Sequence, residues 1–394
     1  MKLLLICRSF PPINIMGAVR PYETAKYFDS LGWDVTVICS YEDSYVNTDY
    51  EVDFGNIQII RASKNNYIAA LNNNYTSKAL EISKRIIRKT IYPEYFILMV
   101  KNYESLIDKY ILEQGMPDFI ISTAKPISAH IVAARIKDKY PSIKWVADFR
   151  DLFALRQDEK LNLVGFLKKR SEAKITKNAD MITVVTDTMK LKMSKYLDSN
   201  IYVIRNGADR VSTAQYKKSF NNKNYIISFT GILYGGFIDI EPILEALKIS
   251  SIKAEVNFYG SEKSIVLGLS IKYPEVKISH FERVSKNKVK EIQEQSDFLL
   301  VGLGRSKSQK GVLTGKFFEY IETAKPIIAI CDEDSELAGL VYKYSLGVAT
   351  RDVLKIRSFM ENYILNNIDI YDCTPTELTR KNQLDKLKSL MLTL

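Results

Sequence analysis

The sequence predicts an α/β protein with two doubly wound domains, and three observations lead to this prediction. The chain has 394 residues, more than one ordinary hydrophobic core accommodates. Short apolar runs alternate with longer segments of helical period, which is typical of parallel α/β layers. The same alternation restarts in the second half of the chain. We therefore expect domains at 1–208 and 209–374, with a C-terminal helix at 375–394.

Seven apolar runs in the first half have the length and composition of buried strands. They are KLLLIC (2–7), DVTVICS (34–40), IQIIRA (57–62), DFIIST (118–123), KWVADF (144–149), MITVVT (181–186) and IYVIRNG (201–207). Helical stretches such as RPYETAKYFDSLG separate them, and Gly32 stands where the end of this helix favours glycine. MKLLLIC is interpreted as the first strand, because its apolar stretch is shorter than the roughly 7–15 residues of a secretory signal.

The second half repeats this organisation after a polar stretch at 209–224, which we interpret as a linker. Its predicted strands are YIISFTG (225–231), EVNFYG (255–260), VKISHF (276–281), DFLLVGL (297–303) and KPIIAIC (325–331). The segment 375–394 is rich in Lys, Leu and Thr, and its composition predicts a helix.

Composition favours a folded, cytoplasmic protein. Hydrophobic residues make up 46% and charged residues 26% of the chain, and no apolar run approaches the ~20 residues of a membrane-spanning helix. The four cysteines, Cys7, Cys39, Cys331 and Cys373, form no CxxC pair, which argues against disulfides and a zinc site. With only two histidines, we also expect no multi-histidine metal centre.

The formal charge of +10 suggests an anionic partner. A phosphate-bearing ligand, an anionic membrane surface and a nucleic acid all fit this description. The alternative is that the excess of 56 Lys and Arg over 46 Asp and Glu serves only solubility.

Two doubly wound domains in tandem predict a cleft between them, with ligands bound beyond the carboxyl ends of the strands. After the first strand, Pro11, Pro12 and Gly17 predict a loop that becomes helical only at about Ala18. Gly17 would let backbone amides approach a ligand closely, although a loop glycine is often only a turn. No GxGxxG dinucleotide motif follows any of the strands.

Charged residues cluster after two further strands of the first half. Asp148, Arg150 and Asp151 follow the buried run KWVA, where charges are costly unless they are paired or face a ligand. An internal Asp–Arg pair and a functional role therefore both remain open. Thr123 and Lys125 end the preceding strand and begin its loop.

The second half has two candidate phosphate-binding segments. Gly231, Gly235 and Gly236 lie between a strand and an amphipathic helix, where loop amides form an anion-binding concavity. In a helix beginning near Gly315, Lys316 and Glu319 have i, i+3 spacing and share one face. Lysine suits a phosphate, and a carboxylate accepts hydrogen bonds from a vicinal diol such as ribose. A surface Lys–Glu pair is the structural alternative.

Five segments resemble a known family in their order along nearly the whole chain. They are SFPPINIMGAVRPYETAKYFDSLGWDVTVIC, KWVADFRD, IRNGAD, FTGILYGG and TGKFFEYIETAKPIIAI. They look like retaining glycosyltransferases of the GT-B fold. The resemblance is closest to the family 4 branch that builds bacterial surface polysaccharides such as capsule, O-antigen and exopolysaccharide.

This resemblance implies two Rossmann-like domains facing across a cleft, with the C-terminal helix crossing back to the first domain. The first domain would bind the acceptor and the second the nucleotide-sugar. Carried over by motif, Glu319 would hold the donor ribose and Lys316 its diphosphate. The remaining donor-binding positions would be Gly231, Gly235, Gly236, Thr314, Gly315 and, facing the transferred sugar, Gly17.

The sequence departs from the family pattern at three places. Gly311 stands where many members have a second glutamate, eight residues before Glu319. ILYGGF replaces a segment that often carries Arg or Lys, and Lys307 or Lys310 is the candidate replacement for that charge. Ser122 and Thr123 occupy the place of a histidine that some relatives have after the fourth strand.

The expected reaction is sugar transfer from a nucleoside diphosphate-sugar to a hydroxyl of a glycan or lipid-linked acceptor, with retention. Lys316, Arg150 and Asp151 are the predicted catalytic residues, and Thr123, Lys125 and Asp148 are predicted on the acceptor side. No cofactor and no metal ion are expected, because no DxD-type carboxylate pair follows a strand. The sequence does not determine the nucleotide base, the sugar or the oligomeric state.

Residues 84–103 combine cations with Ile, Tyr, Phe and Met. This composition suits docking onto an anionic membrane, here the inner face of the plasma membrane, where lipid-linked acceptors reside. The candidate docking cations are Lys84, Arg85, Arg88 and Lys89. An ordinary amphipathic helix with a solvated basic face is the alternative.

Two other functions remain open at this point. A nucleotide-sugar 2-epimerase shares the GT-B fold, although we expect more acid and base residues in such an enzyme than this histidine-poor chain has. A basic nucleic-acid-binding protein would need a recognition module, and the sequence contains none that we identify, so no nucleic-acid partner is expected.

Overall fold

The computed structural model describes residues 1–13, 15–41, 52–72, 77–154, 163–210, 224–235, 237–365 and 375–394. These residues form two compact units. Unit 1 comprises Met1–Ile204 and Leu384–Leu394, and unit 2 comprises Arg205–Gln383. The division falls before the predicted boundary at 208 because the Arg205 amide donates to Gln383 and the Ala208 amide donates to Leu378. Most of the predicted linker, 211–223, lies outside the described residues.

Unit 1 contains a seven-stranded parallel sheet. Its strands are β1 Lys2–Ile6, β2 Asp34–Ser40, β3 Gln58–Ala62, β4 Phe119–Ala124, β5 Lys144–Phe149, β6 Met181–Val184 and β7 Ile201–Val203, in the order β3-β2-β1-β4-β5-β6-β7. Its helices are α1 Met16–Ser30, α2 Asn66–Asn72, α3 Lys78–Thr90, α4 Val100–Gln114, α5 Ser128–Lys139, α6 Leu163–Thr176 and α7 Asp187–Met193, with a 3₁₀ turn at Tyr95–Met99.

Unit 2 contains a six-stranded parallel sheet. Its strands are β8 Tyr225–Thr230, β9 Ala254–Tyr259, β10 Lys277–Phe281, β11 Phe298–Gly302, β12 Ile327–Ile330 and β13 Gly347–Ala349, in the order β10-β9-β8-β11-β12-β13. Its helices are α8 Glu241–Lys248, α9 Lys263–Lys272, α10 Lys286–Gln295, α11 Gly315–Ile321, α12 Glu336–Lys343 and α13 Val353–Leu365. Two 3₁₀ turns, Lys307–Gly311 and Thr376–Leu378, precede α11 and the last helix, α14 Arg380–Met391.

Both sheets are covered on both faces, because successive residues of a strand point to opposite faces and are buried in different apolar clusters, as Leu299 and Leu300 are in β11. In β1, Leu4 and Ile6 belong to one apolar cluster, whereas Leu3 and Leu5 belong to a second cluster on the opposite face. The second cluster includes the C-terminal residues Leu384, Leu387 and Met391. The end of α14 is therefore part of the core of unit 1, as the resemblance implied.

Each predicted strand overlaps an observed one, with small differences at the ends. The predicted run IYVIRNG is a strand only over Ile201–Val203, because the chain leaves unit 1 after Ile204. β13 was not predicted, since GVA is too short to form a recognisable pattern. Helix α1 begins at Met16 rather than at Ala18. The Ala18 amide donates to the carbonyl of Ile15, so the first helical turn already includes Met16 and Gly17, and Pro12 precedes it.

Candidate functional site

In unit 2, the parallel strands bring the loops after β8 and β11 to the same edge of the sheet. Lys316, on the first turn of α11, points its Nζ to 4.3 Å from the centroid of the Phe229 ring at the end of β8. Among the described residues, Lys316 has no ion pair and no hydrogen bond. Burial lowers its pKa to about 8, although the negative charge of Glu319 opposes this shift. Within the described parts of the chain, Lys316 is thus a largely desolvated cation that no carboxylate engages in an ion pair, although it feels the charge of Glu319.

Gly231 makes room for this lysine. A Cβ at Gly231 would overlap Cε and Nζ of Lys316, and the φ of +143° disfavours any other residue. Beside Lys316, the hydroxyl of Thr314 is buried without a hydrogen-bond partner among the described residues. Gly315, the first residue of α11, separates the two side chains. Close to Lys316 there is therefore a buried polar oxygen that a ligand could satisfy.

Glu319 lies over a buried polar network. The amide of Gln293 on α10 donates to Thr230 Oγ1 at 3.0 Å and to Glu319 Oε2 at 3.4 Å. Tyr320 donates to the carbonyl of Leu300 at 3.1 Å, and burial raises its pKa to about 12, so its hydroxyl stays neutral. Gln293 thus orients one carboxylate oxygen of Glu319. Sequence reasoning missed Gln293 and Thr230, because their contacts join elements far apart in the chain.

The glycine loop after β8 already contains a carboxylate. The amides of Leu233 and Gly235 both donate to Glu262 at 3.2 Å, and Ser261 donates to the carbonyl of Gly231. Amide hydrogen bonds, including that from its own backbone, hold the pKa of Glu262 below its usual value. The predicted amide concavity thus has an internal acceptor for two of its donors. Gly236 lies outside the described residues.

Lys307 and Lys310 differ in availability. Lys310 forms an ion pair with Asp334 at 2.5 Å and lies 3.9 Å from Asp332. Lys307 is exposed and has no ion pair among the described residues. Of the two candidates for the missing phosphate charge, only Lys307 is available without breaking an existing pair.

An aromatic pair at the neighbouring strand ends was not anticipated. Tyr259 ends β9 and Phe281 ends β10, and their rings stack with centroids 4.6 Å apart and an interplanar angle of 12°. The outer ring, Phe281, is half exposed, and Arg283 follows it. Pattern analysis assigned these residues to strands and did not show that two adjacent strand ends would bring the rings together.

In unit 1, Asp148 is part of a closed ion pair. Its carboxylate accepts hydrogen bonds from Arg20 Nε at 2.9 Å, from Arg20 Nη2 at 2.7 Å and from Thr183 Oγ1 at 2.7 Å. Burial alone would raise the pKa of Asp148, but the charge and hydrogen bonds of Arg20 and the hydrogen bond of Thr183 outweigh it and lower the pKa. The carboxylate predicted on the acceptor side thus has three donors inside the protein.

Arg150 holds two backbone segments together. Its Nε donates to the carbonyl of Ala124 at 3.0 Å, and its Nη1 donates to the carbonyl of Gly17 at 2.8 Å. Burial lowers the pKa of Arg150, against the opposing charges of Asp148 and Asp151. A Cβ at Gly17 would lie 3.4 Å from this guanidinium, so the glycine permits the contact.

The remaining predicted acceptor residues lie at the same strand ends. Lys125, just after β4, forms an ion pair with the exposed Asp151 at 2.9 Å, and Thr123 is buried in β4. His130 on α5 is fully buried and hydrogen-bonded to Ser122, and burial lowers its pKa to about 3. It is therefore neutral and enclosed, and we assign it a structural role.

The predicted docking cations are not equivalent. Lys84 and Arg88 turn towards the protein and pair with Glu81 at 3.4 and 3.5 Å. Arg85 is exposed. The side chain of Lys89 lies outside the described residues. Of the four predicted docking cations, Lys84 and Arg88 are therefore already paired within the protein, and Arg85 is exposed.

Neither a metal centre nor a membrane span is found in the described part of the chain. No group of three or more His, Cys, Asp and Glu side chains is arranged there to hold a metal ion. No helix among these residues is long and apolar enough to cross a membrane. Cys7, Cys39 and Cys331 are buried free thiols, and Cys373 is not among the described residues.

Neither a protein-family profile nor a curated protein matches this sequence. Solved structures resemble it over its whole length. The lipopolysaccharide outer core galactosyltransferase WaaB, in its apo form, has a TM-score of 0.64 and 10% identity, covering 100% of this chain and 99% of that chain. Alr3699/HepE from Anabaena, in complex with UDP, has a TM-score of 0.59 and 13% identity, covering 100% and 97%.

A third similar structure is the UDP-GlcNAc 2-epimerase from Neisseria meningitidis bound to UDP-GlcNAc. It has a TM-score of 0.56 and 11% identity, and the match covers 100% of both chains. At such low identities, likeness establishes the fold and not the activity. Together with the two parallel Rossmann-like sheets, these whole-chain similarities show that the protein has the GT-B fold.

Proposed function

We propose that this protein is a glycosyltransferase that moves a sugar from a nucleoside diphosphate-sugar to a hydroxyl group. The observation that carries this proposal is Lys316, a desolvated cation with no counter-ion among the described residues, one helical turn from Glu319. Keeping such a charge out of water is costly unless a partner is bound. A diphosphate would supply that partner as a charge-assisted hydrogen bond.

The other donor contacts follow from the same edge of the sheet. The carboxylate of Glu319, with one oxygen oriented by Gln293, would accept hydrogen bonds from the two ribose hydroxyls. The half-exposed ring of Phe281, supported by Tyr259, offers a flat face for the nucleobase. Lys307 would add a second positive charge for the phosphates. These roles suit a nucleoside diphosphate whose base this chemistry does not specify.

The proposed mechanism is direct displacement on the face from which the diphosphate leaves. As the anomeric C–O bond to the diphosphate breaks, the acceptor oxygen bonds to the same carbon, and its proton passes to the leaving phosphate oxygen. The anomeric configuration is thereby retained. The role of Lys316 would be to stabilise the negative charge that develops on the diphosphate, which requires no carboxylate pair.

The acceptor is proposed to bind unit 1 at the ends of β4 and β5. The Lys125–Asp151 pair is accessible there and can hydrogen-bond sugar hydroxyls. Asp148 is already engaged by Arg20 and Thr183, so we assign it the role of holding this edge in shape. Arg150 would position the Gly17 backbone in the same way. We propose that the acceptor is a glycan or a lipid-linked molecule and that the reaction serves the synthesis of a surface polysaccharide.

The test is a thermal-shift screen with UDP, GDP, ADP and their sugars. A ligand that binds only the folded protein raises its melting temperature by mass action, so one nucleotide series should raise it and identify the base. The same screen on Lys316→Met and Glu319→Gln should show reduced shifts. If no nucleoside diphosphate shifts the wild type at millimolar concentration, the proposal is wrong.

A nucleotide-sugar 2-epimerase is the second candidate, favoured by the whole-chain similarity to such an enzyme. The two functions share donor chemistry but differ in their need for an acceptor. Incubating the protein with the nucleotide-sugar identified by the screen, without acceptor, separates them. Formation of the C2 epimer would establish the epimerase, whereas an unchanged donor that is consumed only when an acceptor is added supports the transferase.

A further inference from the structure

Helix α3 exposes isoleucines and buries a lysine. Lys84 is only 8% exposed, and it lies on the same side of the helix as the half-buried Glu81 and Arg88. Ile82 and Ile86, one turn apart on the opposite face, are 60% and 57% exposed. A surface helix in water buries its apolar side and exposes its charges. The reversed pattern indicates that something apolar covers the outer face of α3.

A second exposed apolar patch adjoins this helix. Phe166 and Leu167, in the first turns of α6, are 55% and 46% exposed. Tyr92, just after α3, is also exposed, and its hydroxyl donates to the Leu167 carbonyl at 3.3 Å and contacts Ser171. Tyr92 therefore links the end of α3 to α6. We call this region the α3–α6 surface. It comprises the apolar residues Ile82, Ile86, Ile87, Tyr92, Phe166 and Leu167 and the cations Arg85, Arg170 and Lys174.

The accessible charges of this surface are positive. Arg85, Arg170 and Lys174 are exposed on the two helices. Among the described residues of α3 and α6, the acids are Glu81, which is paired with Lys84 and Arg88, and Glu172, which is fully buried. Burial raises the pKa of Glu172 to about 7, so this enclosed carboxyl is only partly ionised near neutral pH. The surface is thus apolar with a cationic margin.

We propose that the α3–α6 surface docks onto an anionic lipid bilayer, with the isoleucines, Phe166 and Leu167 inserted at the level of the headgroups. Interfacial helices combine a large apolar face with flanking Lys and Arg in this way. The cations then lie at the depth of the lipid phosphates, where each contributes about fivefold to affinity. Docking through Ile82 and Ile86 replaces the docking through Lys84 and Arg88 that the sequence suggested.

A second copy of the chain is a less favourable occupant. A two-fold interface places the same patch opposite itself. Arg85, Arg170 and Lys174 would then face their own copies, and like charges across an interface oppose association. An anionic bilayer covers the same apolar area and neutralises these charges instead. Lipid binding by this surface requires no nucleotide and is therefore independent of the proposed sugar transfer.

The experiment is co-sedimentation of the full chain with vesicles of phosphatidylcholine, with and without phosphatidylglycerol, in the absence of nucleotide. We expect binding to the anionic vesicles and at least tenfold weaker binding to the neutral ones. The double variant Ile82→Gln/Ile86→Gln should bind about tenfold more weakly, because it removes inserted apolar groups. Arg85→Gln/Arg170→Gln should lose most of the preference for anionic lipid.

Matched controls come from unit 2. Ile271→Gln changes an isoleucine that is 80% exposed, and Lys263→Gln/Lys286→Gln removes the same charge as the arginine variant. Neither control should alter vesicle binding, and melting temperatures should show that every variant is folded. The proposal is overturned if the wild type does not bind anionic vesicles, if the controls weaken binding as much as the variants, or if the isoleucine variant abolishes dimers instead of lipid binding.

Discussion

Asp148 lies near the end of β5 in unit 1, and Lys316 lies at the start of α11 in unit 2, so both are charges near an edge of a parallel sheet. Asp148 receives three hydrogen bonds from Arg20 and Thr183. Lys316 lies over an aromatic ring with no ion pair among the described residues. The first charge is satisfied within the protein, and the second remains available to a ligand. The comparison teaches that two charges in similar positions of similar folds differ in how the protein pairs them, which position alone does not reveal.

The largest expected effect tests the structural side of this comparison. Asp148→Asn should lower the free energy of unfolding of unit 1 by about 3–5 kcal/mol, because it leaves Arg20 without its buried carboxylate. Both tryptophans of the chain, Trp33 and Trp145, are in unit 1, so tryptophan fluorescence in urea follows its unfolding. Glu319→Gln, the same chemical change in unit 2, is the control and should leave this transition unchanged. Equal stability of the two variants would contradict the distinction.

Lys316→Met tests the binding side. We expect transfer to fall about a hundredfold, because charge on the leaving diphosphate loses its main stabilising group. The free energy of unfolding near neutral pH should increase, since a desolvated ammonium is replaced by an apolar chain of similar length. Activity is measured as nucleoside diphosphate release and stability as the thermal transition in circular dichroism. A variant that is both active and less stable would show that Lys316 is structural.

Glu319→Gln sharpens the assignment of the ribose site. A carboxylate that binds the ribose diol should make the wild type prefer a nucleoside diphosphate over its 2′,3′-dideoxy analogue by about tenfold. Glu319→Gln should reduce this preference to nearly one while keeping weak binding of both ligands. Isothermal titration provides the four dissociation constants. If the variant loses affinity but keeps the preference, Glu319 does not contact the ribose.

The smallest expected effect is the pH dependence of donor binding. Burial lowers the pKa of Lys316 to about 8, so the free protein loses this positive charge as pH rises beyond that value. Affinity for the nucleoside diphosphate should fall several-fold between pH 7 and pH 9. The terminal phosphate, with a second pKa near 6, stays fully ionised over this range. Lys316→Arg, whose guanidinium stays charged, should show a flatter profile.

The lowered pKa of Lys316 predicts that stability rises with pH, whereas donor affinity falls. An unfolded lysine titrates near pH 10.4, so between about pH 8 and pH 10.4 the unfolded chain binds more protons than the folded one. By linkage, the contribution of Lys316 to the free energy of unfolding rises with pH across this window. The difference in melting temperature between the wild type and Lys316→Met should therefore shrink from pH 7.5 to pH 9.5. A constant difference would mean that Lys316 is not desolvated.

The amino-acid sequence alone determined the architecture, and it placed Lys316 and Glu319 together on one helix. Strand positions follow from short runs of residues that are either alternately or continuously apolar. Such a pattern involves only residues that are neighbours in the sequence. Lys316 and Glu319 were predicted as neighbours because i, i+3 spacing places two side chains on the same face of one helical turn, and both lie in α11. Local physics was sufficient in both cases, which is why these predictions required no knowledge of distant residues.

Only the tertiary structure decided which charges are already satisfied. Asp148 meets Arg20 across 128 positions of sequence, and Gln293 meets Glu319 from another helix. The inward turn of Lys84 on α3 was equally invisible, because hydrophobic periodicity shows that a helix has two faces and not which face the protein covers. Which partner a charged side chain meets, and which face of a helix is covered, depend on how the chain packs. These contacts decide which charges and which apolar faces the protein itself already satisfies, because distant segments meet only in the folded chain.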